Sequence, residues 1–231
     1  MQPNSHWHIM ETADQVAMAA YQQILKAAEH AIAEHGNFKL VLAGGSTPEK
    51  VYRLLAQADA DWSKWFIYYG DERCLPADHA DRNSLMATQA FLEKVAIPNA
   101  QIFTIPAELG PDLAAKKYQQ IVADALPFDM VLLGMGEDGH TASLFPGHQH
   151  QQDELAHAVY NSPKPPPERV SISAKALSNT GQLIFLITGT NKQEAVKNWR
   201  SGQNLPVATI VPETPVDIYI DRDAFDSSER A

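Results

Sequence analysis

Apolar positions along the chain alternate between two rhythms, one helical and one of short unbroken runs. The helical rhythm comes first. Thr12-Ala13-Asp14-Gln15 forms a capping box, Val16, Ala20, Ile24, Ala27 and Ala31 follow on one face, and Gly36 closes the segment. Residues 38–43 then make a short apolar strand, and Gly44-Gly45-Ser46-Thr47 turns into a second helix with Pro48 in its first turn. Residues 65–69 read as the next strand, which runs into Gly70-Asp71-Glu72-Arg73. A polar loop leads to Asn83 and a helix through Leu85, Leu92 and Val95; a strand at 101–105 and a helix at 113–125 follow. Met130 to Leu133 is an unbroken apolar run, the mark of a central parallel strand covered on both faces. Beyond it, residues 170–173, 183–188 and 216–220 are predicted strands and 191–200 a helix.

This alternation predicts an α/β fold, Rossmann-like in the broad sense. It has a mainly parallel sheet, helices on both faces, and a small appended β/loop region within one domain spanning 1–231. The order of the strands does not follow from the pattern. Residues 147–168 change character: His, Gln and Pro dominate, ending in Pro165-Pro166-Pro167. They are predicted to be a loop or rim excursion over the site rather than a linker. No internal repeat is present.

Composition narrows the partners. The 231 residues are 45% hydrophobic and 20% charged, enough for a full core. No stretch approaches the roughly 20 apolar residues of a membrane span. The first residues lack the basic and apolar regions of a leader, so none is expected. A single cysteine, Cys74, excludes an internal disulfide and suits a reducing cytoplasm. The formal net charge of −10 argues against nucleic acid or anionic membrane as a partner. An anionic ligand would therefore need cations gathered locally.

Candidate chemistry concentrates after the central strand. Gly134, Gly136 and Gly139 break it, and Asp138 and His140 arrive at the edge where open α/β sheets bind ligands. An acid and an imidazole delivered into a glycine-rich turn are the candidate catalytic pair. The same stretch matches the dinucleotide pattern G-x-G-x-x-G, but that pattern should open a long helix early in the chain. Here Pro146 follows six residues after His140, so no nicotinamide or other cofactor is expected.

Gly44, Gly45, Ser46 and Thr47 free N–H groups at a helix start, which suits a phosphate. An ordinary strand–helix turn capped by Ser46 or Thr47 would look the same. It is not a Walker loop, since no Lys precedes the Ser/Thr. Arg73 could fork onto a phosphate or pair with its acidic neighbours. Lys192 stands where a helix dipole disfavours a cation, which a bound anion would explain, as would a freely exposed lysine. Cys74 reads as a filler. His6, His8, His148 and His150 lack a matching ligand pattern and read as solvated, with no metal site.

Taken together, these residues resemble the 6-phosphogluconolactonases, within the wider glucosamine-6-phosphate isomerase/deaminase-like family. The resemblance rests on Leu42-Ala43-Gly44-Gly45-Ser46-Thr47-Pro48, Gly70-Asp71-Glu72-Arg73, Asp81-Arg82-Asn83, the run from Gly134 to Pro146, Pro166 to Ser171, and Thr188-Gly189-Thr190-Asn191-Lys192. The Gly139-His140-Thr141-Ala142-Ser143-Leu144-Phe145-Pro146 run is specific, whereas the Gly-Gly-Ser-Thr-Pro turn is shared across the superfamily. Deaminases are similar up to His140 but carry a glutamate where Phe145 stands, and lack the arginine after Asp71-Glu72. Family members usually read Ser-Asn where this chain has Arg82-Asn83; the added cation would reinforce phosphate binding or face solvent.

The resemblance implies hydrolysis of a sugar-phosphate lactone without metal or cofactor, by a monomer or weak homodimer. His140 would act as general base and then acid, duties that imidazoles, titrating near ~6.5, can share at neutral pH. Asp138 would orient it. Arg73, Arg169 and Lys192, with Gly44 to Thr47, would hold the phosphate, and Asn83 would line the site. Asp71 and Glu137 would repel phosphate, so they are expected to meet sugar hydroxyls or position cations. Backbone N–H groups of the glycine-rich turn are the candidate oxyanion donors. A non-enzymatic sugar-phosphate sensor would need an added DNA-binding segment, for which the early N-terminal helix leaves no room.

Overall fold

The computed structural model describes residues 4–151 and 153–225; residues 1–3, part of the leader reading, lie outside them. The chain runs β1 Ser5–Met10, α1 Ala13–His35, β2 Phe38–Leu42, α2 Ser46–Leu55, β3 Trp65–Tyr69, β4 Asp71–Arg73, α3 Asn83–Ala90, β5 Ile102–Phe103 and α4 Pro111–Ala125. It continues through β6 Phe128–Gly134, β7 Ala156–Val159, β8 Arg169–Ile172, α5 Ala174–Ser178, β9 Thr180–Ile187, α6 Gln193–Arg200, β10 Val216–Asp221 and α7 Arg222–Phe225.

Helix α1 starts where its capping residues place it. Thr12 Oγ1 accepts from the Gln15 amide at 3.3 Å, and the Gln15 side chain accepts from the Glu11 amide at 2.8 Å. Two N–H groups that no helical carbonyl could reach are thereby satisfied. Val16, Ala17, Ala20, Ile24, Ala27, Ala28 and Ala31 are buried along one face.

Seven strands form a sheet in the order β1-β10-β9-β6-β2-β3-β5, every pairing parallel. The predicted central strand, β6, is its middle member, and Met130 to Leu133 are 0–1% exposed, so both faces are covered. From β2 the chain steps outward through β3 and β5; from β6 it steps the other way through β9 and β10. The direction of winding reverses between β2 and β6, and the carboxyl ends there open a crevice. A second sheet, β4-β8-β7, is antiparallel and supplies the appended β region.

Three strands lie outside the predicted set. β1 is an edge strand whose Ser-His-Trp-His-Ile-Met sequence carries no clean alternation. β4 has only three residues, all polar, and gains its identity from pairing with β8. β7 lies within 147–168, so that predicted excursion is partly a strand, held by β8 and packed on α4. Helix α3 stops at Ala90 rather than reaching Val95, and a short 3-10 turn, Leu92–Lys94, replaces its last part. No helix among the described residues is long and apolar enough to cross a membrane.

Candidate active site

Because the main sheet is parallel, the segments leaving β2, β3, β6 and β9 emerge on one edge. They surround a pocket of about 230 Å³ whose wall includes Gly44, Gly45, Asp71, Arg73, Asn83, Glu137, His140, Lys164, Arg169 and Lys192. Residues scattered over nearly 150 positions of sequence thus share one cavity.

The imidazole of His140 is 19% exposed, and its Nδ1 lies 2.5 Å from Asp138 Oδ1, which also accepts from the His140 amide at 3.2 Å. Burial works against the Asp138 charge, but the His140 ring and these hydrogen bonds outweigh it and hold the carboxyl below its usual range. An ionised carboxylate only accepts, so Nδ1 carries the proton and donates, leaving Nε2 as the basic nitrogen. Behind the ring stands Phe145, its centroid 4.6 Å away. Gly136 makes room for the pair: a Cβ there would fall 2.0 Å from His140 Nδ1. Asp138 itself does not line the pocket; it acts on the ring from behind.

A depressed folded-state pKa makes Asp138 stabilising above its unfolded value, near ~3.9, and that contribution disappears as pH falls through the folded value. Asp138→Asn should therefore flatten the acid limb of the stability profile in urea titrations at stepped pH. An unchanged limb would count against the pairing.

Next to this pair lies a buried polar network. Asp71 is pushed above the usual carboxylate range by burial, against the opposing Ser143 hydrogen bond and the charge of Arg169. Its Oδ2 accepts from Ser143 Oγ at 2.6 Å and its Oδ1 from Asn83 Nδ2 at 3.1 Å. Asn83 presses on the first glycine turn, since a Cβ at Gly44 would come within 2.1 Å of its Oδ1. Glu72, fully buried, accepts from the amides of Arg73, Asn83 and Ser84 at 2.8–2.9 Å. It caps α3 from another element, because Arg82 at the N-cap makes no side-chain cap of its own.

Arg82 corrects the sequence expectation in both its forms. It neither lines the pocket nor faces solvent: it is 3% exposed, with Nε 3.1 Å from Glu72 Oε2 and its head bonded to the carbonyls of Leu75 and Ile105. The position is spent on holding the wall, not on the ligand.

Three predicted cations do converge on the cavity. Arg73 donates to the Asp81 carbonyl at 2.5 Å and lines the pocket. Arg169 is buried, donates to the carbonyls of Lys164, Pro165 and Pro166, sits 4.0 Å from Asp71 Oδ2 and lies 5.7 Å from the Phe145 ring centroid. Burial lowers the pKa of its guanidinium and of the Lys192 amine, which stands at the N-terminal boundary of α6. A fourth cation, Lys164, was not anticipated; it comes from the proline-rich segment, where sequence offers only a lysine among prolines.

Other expectations change. Ser46 and Thr47 do not line the pocket: Ser46 opens α2 exposed, and Thr47 is buried with its Oγ1 2.6 Å from Thr188 Oγ1. Among the described residues the first amides of α2 receive no side-chain cap, which leaves them available to an anion. Two candidate oxyanion donors are already engaged, because Gly136 N–H donates to the His140 carbonyl at 2.8 Å and Gly139 N–H to the Gly136 carbonyl at 3.0 Å. Burial pushes the half-buried Cys74 thiol up to about 11, which suits a filler rather than a nucleophile. His150 is not simply solvated; it stacks on His157 at 4.3 Å, and burial lowers it to about 4. Among the described residues no cluster of His, Cys, Asp or Glu is arranged to hold a metal ion.

The fold and this pocket define an α/β protein with a basic, histidine-bearing site at the switch point of a parallel sheet. Residues 11–219 match the family model of glucosamine-6-phosphate isomerases/6-phosphogluconolactonase, and the chain belongs to that family. A rice (Oryza sativa subsp. indica) protein named "Probable 6-phosphogluconolactonase 4, chloroplastic" is 37% identical over 201 residues, 79% of this chain. The chain spans 61% of that relative's length. The 6-phosphogluconolactonase of Rattus norvegicus is 36% identical over 194 residues, covering 78% of this chain and 76% of the rat protein. The crystal structure of 6-phosphogluconolactonase from Thermotoga maritima superposes with a TM-score of 0.88 at 26% identity, over 94% of this chain and 99% of that one.

Proposed function

We propose that this chain hydrolyses 6-phospho-D-glucono-1,5-lactone to 6-phosphogluconate, in the oxidative branch of the pentose phosphate pathway. The observation that carries the reading is His140, its Nδ1 held by Asp138, in one cavity with Arg73, Arg169 and Lys192. Such a pocket suits a small electrophile tethered to a phosphate. Water would attack the lactone C1 as His140 Nε2 takes its proton, forming a tetrahedral oxyanion. Collapse breaks the bond from C1 to the ring oxygen, and the imidazolium returns the proton to that oxygen. The acid product then ionises. Asp138 supports the imidazolium between the two transfers.

The same reading places the protein in the cytoplasm, as a monomer or weak homodimer, with neither nucleic acid nor membrane as partner. A pH-stat assay on freshly generated lactone, corrected for spontaneous hydrolysis, tests the activity; no acceleration above background would refute it. Glucosamine-6-phosphate deamination is the second reading, favoured by the shared glycine turn and by Asp138-Gly139-His140, up to which deaminases are similar. Phe145 against the His140 ring, where an acid would assist ring opening, weighs against it. Ammonia release from glucosamine 6-phosphate would decide for it.

Arg73→Ala should raise KM and the Kd of 6-phosphogluconate roughly 10- to 100-fold, the ~1.5–3 kcal/mol of hydrogen bonds to a charged group, while kcat changes little. Steady-state kinetics with product titration measure both. Unchanged values would remove Arg73 from the phosphate site.

A further inference from the structure

Three loops meet at the mouth of the pocket, and one carboxylate joins them. Glu137, after β6, accepts from Asn191 Nδ2 at 2.7 Å and from Lys164 Nζ at 3.4 Å. Lys192, next to Asn191, lines the same pocket, and its charge and that of Glu137 act on each other, so two pocket-lining lysines bear on this one anion. We propose that Glu137 is a resident counter-anion of the phosphate site, and that Lys164 exchanges it for the substrate's phosphate on binding. The inference rests on the sugar-phosphate reading above and adds a fourth cation and a competing carboxylate to it.

The two contacts of Glu137 are unequal. At 2.7 Å the Asn191 contact is a full hydrogen bond, whereas 3.4 Å is long for an ammonium–carboxylate pair, which closes to about 2.7–2.9 Å when strong. Lys164 and Glu137 are each about half exposed, and ion pairs in that setting contribute little. The lysine backbone, by contrast, is anchored. Its carbonyl accepts from Arg169 Nη2 at 3.1 Å and from Ser162 Oγ at 2.7 Å. The backbone is thus fixed in part by a residue that itself lines the pocket, while the ammonium head is loosely held. The Asn191 hydrogen bond, then Lys164, keeps the Glu137 carboxyl below its usual range, so it is charged at neutral pH. A carboxylate under the field of two ammoniums competes for the attraction that a phosphate dianion would use, and a dianion is the better partner for both.

Isothermal titration of the full chain with 6-phosphogluconate and, separately, inorganic phosphate tests this. Lys164→Met should weaken both ligands roughly 5- to 20-fold, with unchanged thermal unfolding. Glu137→Gln should tighten inorganic phosphate roughly three- to tenfold, since one like charge leaves the site. Inorganic phosphate has no sugar, so no lost hydroxyl contact can mask the tightening. Lys164→Met with both affinities unchanged, or Glu137→Gln weakening inorganic phosphate, would overturn the proposal. Binding lost in Arg73→Ala but kept in Lys164→Met would sink this inference alone; a wild-type chain that binds neither ligand would sink the phosphate site with it.

Discussion

His140→Ala should lower turnover of the lactone by roughly 10²–10⁴, the range expected when a positioned general base is removed. The prediction follows from the placement of one proton. Asp138 Oδ1, 2.5 Å from Nδ1, is ionised and can only accept, so the ring presents its lone pair on the other nitrogen. Alanine removes that nitrogen and leaves the cation wall untouched, since Arg73, Arg169 and Lys192 take no support from the ring. Affinity for 6-phosphogluconate should therefore stay within about threefold of wild type, so the loss falls on kcat alone. Single-turnover rates with a product titration separate the two quantities. Near-normal turnover in this variant would end the assignment of His140 as base.

Arg82→Met should destabilise the fold by about 3–5 kcal/mol, the cost of removing one partner from a buried ion pair. The guanidinium touches Glu72 and Glu108 and satisfies the carbonyls of Leu75 and Ile105. Methionine fills much of the space but donates nothing. Glu72 would keep its three backbone amides, yet its charge would lose the guanidinium paired with it. Chemical denaturation monitored by tryptophan fluorescence measures the shift. A loss below ~1 kcal/mol would mean that the pair is as weak as an exposed one. Because Glu72 also fixes the amides of Arg73 and Asn83, surviving protein should show a raised KM.

The hydrophobic rhythm made most of the α/β framework legible, because a strand covered on both faces must be apolar throughout and a surface helix must show one apolar face. β6 and α1 are clear instances. Where an element depends on its partner, the rhythm is silent. β4 and β7 are too short or too polar to declare themselves and exist by pairing with β8. Arg82 shows the same limit in the site: a cation beside Asn83 reads as a phosphate ligand until burial beside Glu72 is known.

Residue types and their spacing decided that an imidazole and an acid would leave the central strand together, and that cations would follow other strands. Both are local properties, written in chemistry that a glycine-rich turn cannot hide. Which of those cations share a cavity, which amides are already taken, and that Lys164 joins from a proline-rich loop were decided only by the three-dimensional arrangement. Strand order and cross-strand pairing arise from contacts between residues far apart in the chain, and no single segment carries the information about its eventual neighbour.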